Sequence, residues 1–413
     1  MPELDELRAA VDAAAARAEV PDFTTLRARA RTRRRRRHGA VAVGAVAAAA
    51  LALAGGLNLR SPQAGPVPGP ATHQHQHGQP VKKPATRRQL DALGAQQVIT
   101  TGRLFSYASG GSGELVTVWQ VCVHDWSYCR YAWRLADPNG QRAIGVTWSG
   151  GGSDGPVVTA AGGSYLLTAW NKRGFLLSPN GAATALHPGA REPLAGRGGS
   201  VAVVRSGKVG LDAVDTRTGA TWPLPLPPGA DAVIEGGVAA NGTLWALPAF
   251  AGPGRVEVDW LAGDRWHAHQ LTGAAGSRLA VPGGLVQWGT TSSPTRVAVL
   301  STFDGAMSSP VGVLALSSDS GTSWRQLTRT DVPFGTVDSM AADAAGALYV
   351  ADVHGRVWRS VDGRWDRFTR VPGLRRANGL QPAGEGVLAE VGGGTQARLV
   401  MISGGEVHPV AAR

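Results

Sequence analysis

Cysteine is almost missing from this chain: its 413 residues hold two, Cys122 and Cys129. Residues 1–38 contain no His/Cys pair at zinc spacing, which excludes a zinc-binding anti-sigma type of domain there. Charge is also scarce, with Asp, Glu, Lys and Arg making 17% of the whole. No two carboxylates stand in a recognisable motif, and neither Ser153-Asp154-Gly155 nor the other glycine clusters have the context of a nucleophile elbow or a phosphate loop. No catalytic, cofactor-binding or metal residue is therefore assigned. Tyrosines number only five. Long apolar runs are missing too, with one exception.

That exception is Gly39 to Leu59, an uncharged stretch directly after Arg33-Arg34-Arg35-Arg36-Arg37. As a helix it measures roughly 30 Å, about a bilayer hydrocarbon core. Arginines beside a span stay on the cytoplasmic side, so residues 1–38 are expected inside and everything after Leu59 outside. A cleaved export signal is the competing reading: Ala52-Leu53-Ala54 suits a signal peptidase, and Thr32-Arg33-Arg34 faintly resembles a twin-arginine signal. The length of the region before the span favours a retained anchor. Within residues 1–38, Leu4, Leu7, Val11 and Ala14 fall at helical spacing, and Pro21 ends that helix before a second, basic one. In composition this resembles the amino termini of actinobacterial membrane proteins with extracytoplasmic sensor domains.

The net charge of +11 is concentrated at this end. Residues 1–38 carry ten arginines against six acids, and the surplus beyond them is diffuse. Nucleic acid is thus not expected as a partner; the membrane is. Residues 60–89 are rich in proline and polar groups and predict an extended linker. His73, His75 and His77 in it read as part of a polar tether.

Outside the membrane, oxidising surroundings make a Cys122–Cys129 disulfide the expected pairing. The two flank a polar tip in LVTVWQVCVHDWSYCRYAW, where alternating apolar residues predict a hairpin. A metal site from Cys122, His124 and Cys129 matches no usual zinc spacing.

From about Leu90 to residue 413, short apolar runs alternate with glycine-rich turns and recur. GGSYLLTAW, GGSVAVVRS, NGTLWALPA, GGLVQWGTT, AGALYVADV and GEGVLAEVG begin near 162, 198, 241, 283, 345 and 385, and are expected to be inner strands. With an earlier unit containing ELVTVWQVCV they make seven, at about 46 residues each. The expected fold is an all-β, seven-bladed β-propeller, with six or eight blades as alternatives, after a linker, one transmembrane helix and a cytoplasmic helical segment.

Ser317-Ser318-Asp319-Ser320-Gly321-Thr322-Ser323-Trp324 fits S/T-x-D-x-G-x-T/S-W at each defined position. Eroded copies stand at Asp215 to Trp222, at Gly263 to Trp266 and at Ser360 to Trp365. On these residues the outer domain resembles the Asp-box, or BNR, sialidase-type propellers. The resemblance implies a folding device remote from the active face, with Ser317, Asp319, Gly321 and Trp324 as its structural residues. A sialidase also needs three arginines, a tyrosine nucleophile with a glutamate, and an aspartate acid/base; only Arg103, in Arg103-Leu104-Phe105, stands near the family's early arginine motif.

His267 and His269 point to one face of a strand in RWHAHQL and are expected to face solvent. Trp119, Trp126 and Trp133 form either a carbohydrate-stacking surface or blade core, and Tyr349 is expected in the core or channel. The expected function is that of a monomeric membrane-anchored protein whose propeller binds a glycan or protein outside the cell. An exo-acting hydrolase of sialidase type and a transmembrane signalling protein are the alternatives.

Overall fold

The computed structural model describes residues 86–410 apart from 111–112, 124–126, 151–155, 170–173, 195–196, 198, 207–209, 251–255, 273–280, 290–292, 303–309, 362, 375 and 393–396. Residues 1–38, the expected span at 39–59 and the linker up to Ala85 lie outside this set. Among the described residues, no helix is long and apolar enough to cross a membrane.

Two short helices open the described chain, α1 (Arg87–Asp91) and α2 (Ala95–Thr101). The first begins inside the stretch read as linker. Thr86 accepts from the Gln89 N–H at 3.3 Å while the Gln89 side chain accepts from the Thr86 N–H at 3.1 Å, a capping box that starts the helix and turns Leu90 inward.

Among the described residues, twenty-eight strands follow in seven four-stranded sheets. Sheet 1 is β1 (Arg103–Ser109), β2 (Leu115–Cys122), β3 (Cys129–Asp137) and β4 (Gly140–Gly150). Sheet 2 is β5 (Val157–Ala161), β6 (Ser164–Thr168), β7 (Gly174–Leu177) and β8 (Ala183–Ala185). Sheet 3 holds β10 (Val201–Ser206), β11 (Gly210–Asp215) and β12 (Ala220–Pro223), with β9 (His187–Pro188) added parallel at its outer edge. Sheet 4 is β13 (Ala232–Val238), β14 (Leu244–Ala249), β15 (Glu257–Ala262) and β16 (Arg265–Gln270). Sheet 5 is β17 (Val281–Trp288), β18 (Arg296–Thr302), β19 (Val311–Ser317) and β20 (Arg325–Thr328). Sheet 6 is β21 (Val337–Ala342), β22 (Leu348–Asp352), β23 (Val357–Val361) and β24 (Arg364–Arg370). Sheet 7 is β25 (Ala377–Ala383), β26 (Gly386–Val391), β27 (Arg398–Ser403) and β28 (Glu406–Val410).

First strands of neighbouring sheets touch one another except β5 and β10, whose sheets are joined by apolar side chains, and β25 of the last sheet touches β1 of the first. Seven apolar clusters fill the seven spaces between sheets. Val116, Tyr131 and Tyr165 join sheets 1 and 2, Leu166, Leu176 and Val214 join 2 and 3, and Trp119, Leu104 and Leu388 join 7 and 1. The ring is a seven-bladed β-propeller.

Burial within a blade follows from position. Second strands are covered on both faces and paired on both edges, so β2, β14 and β22 are buried almost throughout, whereas the rim strands β16 and β28 are mostly exposed. This explains the uneven spacing of the apolar phrases. Only GGSVAVVRS and GGLVQWGTT contain first strands, β10 and β17; the other phrases contain second strands. Mixing the two positions stretches one interval, because continuous burial rather than nearness to the axis makes a run apolar.

Candidate functional site

Each first strand runs from one end of the ring, here the near end, to the other. The near end gathers Arg103, Gln120, the Cys122–Cys129 hairpin, Asp338, Asn378 and Glu390 around the first and last sheets. Five first strands shift register close to this end, between Leu104 and Ser106, Val233 and Glu235, Pro282 and Gly284, Val337 and Ser339, and Asn378 and Leu380. Such bulges re-aim the residue between. Two of them meet: the Gly379 N–H donates to Asp338 Oδ2 at 3.2 Å.

Tyr107 continues this line into sheet 1. Its hydroxyl donates to the Gly379 carbonyl at 2.9 Å and accepts from the Glu390 N–H at 3.0 Å. Burial pushes the Tyr107 phenol well above its ordinary pKa, the Glu390 and Asp338 carboxylates add to the rise, and the Glu390 backbone bond offsets only part. A glycosidase-type tyrosine nucleophile needs the opposite environment. With the Gln120 amide oxygen turned toward it, Arg103 donates through Nη2 at 2.6 Å and Nε at 2.5 Å. Desolvation lowers the Arg103 pKa, opposed by nearby Tyr131 and Glu390. Asp338 and Tyr107 thus bond between sheets 6, 7 and 1, while Arg103 bonds within sheet 1.

Cys122 and Cys129 form a disulfide, directly opposite each other in the β2–β3 ladder with Cα atoms 4.0 Å apart. His124 and Trp126 of that hairpin lie outside the described residues, as does Ser153-Asp154-Gly155. Trp119 and Trp133 are blade core, 0% and 7% exposed, so neither offers a ring to a sugar. Tyr349 is buried and its hydroxyl accepts from Arg359 Nε at 3.1 Å. Burial, with Asp343 adding, raises its phenol to about 12.

Ser317, Asp319, Gly321 and Trp324 meet in the β19–β20 turn at the far end. Asp319 Oδ1 accepts from the Ser323 N–H at 2.9 Å, Ser317 Oγ accepts from the Gly321 N–H at 2.9 Å, and Trp324 Nε1 donates to the Gly321 carbonyl at 3.0 Å. Desolvation pushes the Asp319 carboxyl up, but the bonds from Ser323 and Ser317 outweigh it and hold it below its ordinary value. Trp324 then reaches sheet 4, where His269 stacks on it at 4.7 Å and Gln326 Nε2 lies 3.1 Å from His269 Nε2. His267 stacks on Trp260, which stacks on Trp245. His267 faces solvent as expected; His269 is half-buried and serves the packing of two blades. Among the described residues no group of three His, Cys, Asp or Glu is placed to hold a metal.

The copy at Asp215 to Trp222 joins second and third strands, β11 and β12, whereas the full box joins third and fourth. Its turn is nevertheless held by a carboxylate: Asp215 Oδ1 accepts from Arg217 N–H at 2.8 Å and Thr218 N–H at 3.0 Å.

Trp222, read above as a remnant of that box, lines the feature that sequence reasoning missed. At the far end between sheets 3 and 4 lies a groove of about 490 Å³, within the usual range for ligand sites. Leu194, Leu224 and Leu261 give it apolar walls, and Asn241, Thr243 and Arg191 supply polar groups. Trp222 is 2% exposed and its indole N–H has no hydrogen-bond partner among the described residues. Arg197 pairs with Glu192 and Asp215, tying one wall to sheet 3. The groove exists because no antiparallel fourth strand follows β12; the chain passes directly to β13, and only the two residues of β9 pair with its outer edge.

No protein-family model matches this chain, and no curated protein does. Solved structures of similar fold include a puromycin-hydrolyzing peptidase of Mycobacterium tuberculosis, at 16% identity and TM-score 0.46, covering 77% of this chain. This chain spans 55% of that peptidase's length. The β-propeller domain of the Trilobed protease from Pyrococcus furiosus is similar at 9% identity and TM-score 0.48, over 75% of this chain and 95% of that one. YCF48 from Cyanidioschyzon merolae is similar at 13% identity and TM-score 0.40, over 70% and 93%. These likenesses concern the fold alone.

Proposed function

We propose that this chain is a single-span membrane protein whose propeller, of Asp-box type, stands outside the cytoplasm and binds a glycan or protein partner without transforming it. The arginine run before Gly39 to Leu59 supports the topology, and the Cys122–Cys129 disulfide suits an oxidising compartment. The bonds of the Ser317 to Trp324 turn support the Asp-box assignment.

The observation that carries the binding reading is the groove beside Trp222. It joins the apolar walls of Leu194, Leu224 and Leu261 to the polar groups of Asn241, Thr243 and Arg191, the make-up of a ligand site. Asp338 and Tyr107 at the near end are engaged in joining sheets 6, 7 and 1, which favours recognition over catalysis.

Two measurements test this. A reporter fused after Arg413 is expected to be active outside the cytoplasm; activity inside overturns the topology. Retention of cell-envelope glycans and proteins by the intact chain is expected to fall at least tenfold in Trp222→Phe combined with Asn241→Ala. Equal retention by both chains removes the groove from the reading, and release of free sugar from a retained glycan overturns binding without turnover.

A further inference from the structure

In the sequence the arginines from Arg296 to Arg370 are dispersed among acids and form no run. Strand pairing gathers several of them. Arg325 opposes Leu316 in the β19–β20 ladder and shares a face with Leu327, which packs in the cluster between sheets 5 and 6. Across that space Asp366, Phe368 and Arg370 fall on one face of β24. Asp366 accepts from Arg325, Phe368 packs on the same cluster, and Arg370 lies opposite Trp358, which packs there too. The turn after β20 carries Arg329 and leads to Phe334, whose ring meets that of Phe368 at 5.0 Å. At the far end Arg364 bonds Asp366 at 3.1 Å, and Arg296 Nη1 donates to the Gly363 carbonyl at 2.9 Å.

Five arginines therefore follow the outer mouth of one space between blades, along the roughly 20 Å of β24. Two carboxylates stand beside them among the described residues. Asp366 is shared by Arg325 and Arg364, and Asp331 is turned onto Thr328, whose N–H and hydroxyl both donate to it at 2.7 Å. Arg329 and Arg370 are exposed and have no ion-pair partner among the described residues. Like charges so placed repel, and an anion laid along them offsets that cost.

Guanidinium groups hold phosphate through paired N–H bonds, and a row of them suits an anion whose charges repeat along a chain. The aromatic rings nearby are engaged: Phe368 with Phe334, Trp365 in the core at 6% exposure, and Trp288 under the Arg296 guanidinium at 5.0 Å. Bases and sugar rings thus lack a free face to stack on. We propose that this strip binds a linear phosphodiester polymer without bases, of the alditol-phosphate type. It lies on the rim between sheets 5 and 6, so the inference does not rest on the groove beside Trp222.

Modification of arginines by phenylglyoxal, read residue by residue in the full chain with and without synthetic poly(glycerol phosphate), tests it. The polymer is expected to slow modification of Arg329 and Arg370 at least fivefold, and that of the exposed Arg88 and Arg265 less than twofold. Equal effects at all four, or none at Arg329 and Arg370, overturn the proposal. In Arg329→Glu combined with Arg370→Glu, protection of Arg325 should be lost with the thermal midpoint retained; protection that persists overturns it too. Should that variant fail to fold, the footprint on the parent chain decides alone. Stronger protection by an oligothymidylate of equal charge, or by phosphatidylglycerol vesicles, assigns the strip to nucleic acid or membrane and refutes the choice of partner.

Discussion

Glu390 and Tyr107 are 283 residues apart in sequence, and the backbone N–H of the one donates to the hydroxyl of the other at 3.0 Å across the seam between the last sheet and the first. Each sheet is built without a strand from the opposite end of the described chain, so the ring depends on side chains at this seam. Tyr107→Phe keeps the ring's apolar contacts and removes the shared hydroxyl, leaving the Glu390 N–H and the Gly379 carbonyl without this partner. A loss of about 1–3 kcal/mol is expected. Denaturant unfolding measures it, and hydrogen exchange should rise first in β25 and β26; a stability equal to the parent refutes the clasp.

Gly321 stands at φ +87° in the β19–β20 turn, and a Cβ there meets Trp260 Cζ2 at 2.8 Å. Gly321→Ala combines backbone strain with this clash, so a cost of about 1–3 kcal/mol is expected. Gly373, also at positive φ but with open space around its Cβ position, is the control, and Gly373→Ala should cost less. Equal thermal midpoints for the two variants contradict the packing assigned to the turn.

Asp319 holds the same turn through its bonds to Ser323 and Ser317. Asp319→Ala should lower the thermal midpoint and loosen Trp324, read as a change in near-ultraviolet dichroism. Loss of stability without that change means that Trp324 is held by sheet 4 alone.

His269 sets a pH dependence. Gln326 Oε1 accepts from the Thr272 N–H at 2.9 Å, which turns the Gln326 amide nitrogen toward His269 Nε2 and requires that nitrogen to be an unprotonated acceptor. Desolvation accordingly holds the imidazole below its ordinary pKa. The unfolded chain then binds a proton at higher pH than the folded one, so stability is full above about pH 6.5 and declines as pH falls from there toward the depressed native value. His269→Gln should flatten this decline relative to the parent in denaturant titrations between pH 7.5 and 5, about the range in which an imidazole titrates. An unchanged slope eliminates His269 as its source.

The Cys122–Cys129 bridge closes a short hairpin, and on the chain-entropy estimate it contributes roughly 2–3 kcal/mol. A reductant, or Cys122→Ala with Cys129→Ala, should lower the free energy of unfolding by that amount while the ring still forms, because the ladder beyond the bridge continues through seven further residue pairs. Stability unaffected by reductant indicates that the two sulfurs are unlinked in solution.

Much of this molecule is written locally. Seven recurring units, the hairpin that brings Cys122 opposite Cys129 and the Ser317 to Trp324 turn all depend on residues within about ten positions of one another, where apolar alternation and turn chemistry act directly. The capping box at Thr86 and Gln89 was equally local and marks a helix where the proline-rich composition suggested only linker. Tertiary structure decided the rest. The Asp215 to Trp222 turn satisfies its backbone as the full box does, and only packing shows that it joins a different pair of strands. Trp119 and Trp133 became core while Trp222 came to line a groove, because the last sheet covers the first, sheet 2 covers the second and an abbreviated outer strand leaves space beside the third. The bonds from Tyr107 to Gly379 and Glu390 had no local signal: a partner some 270 to 280 residues away imposes no pattern on its neighbours, and it exists only once the ring has closed.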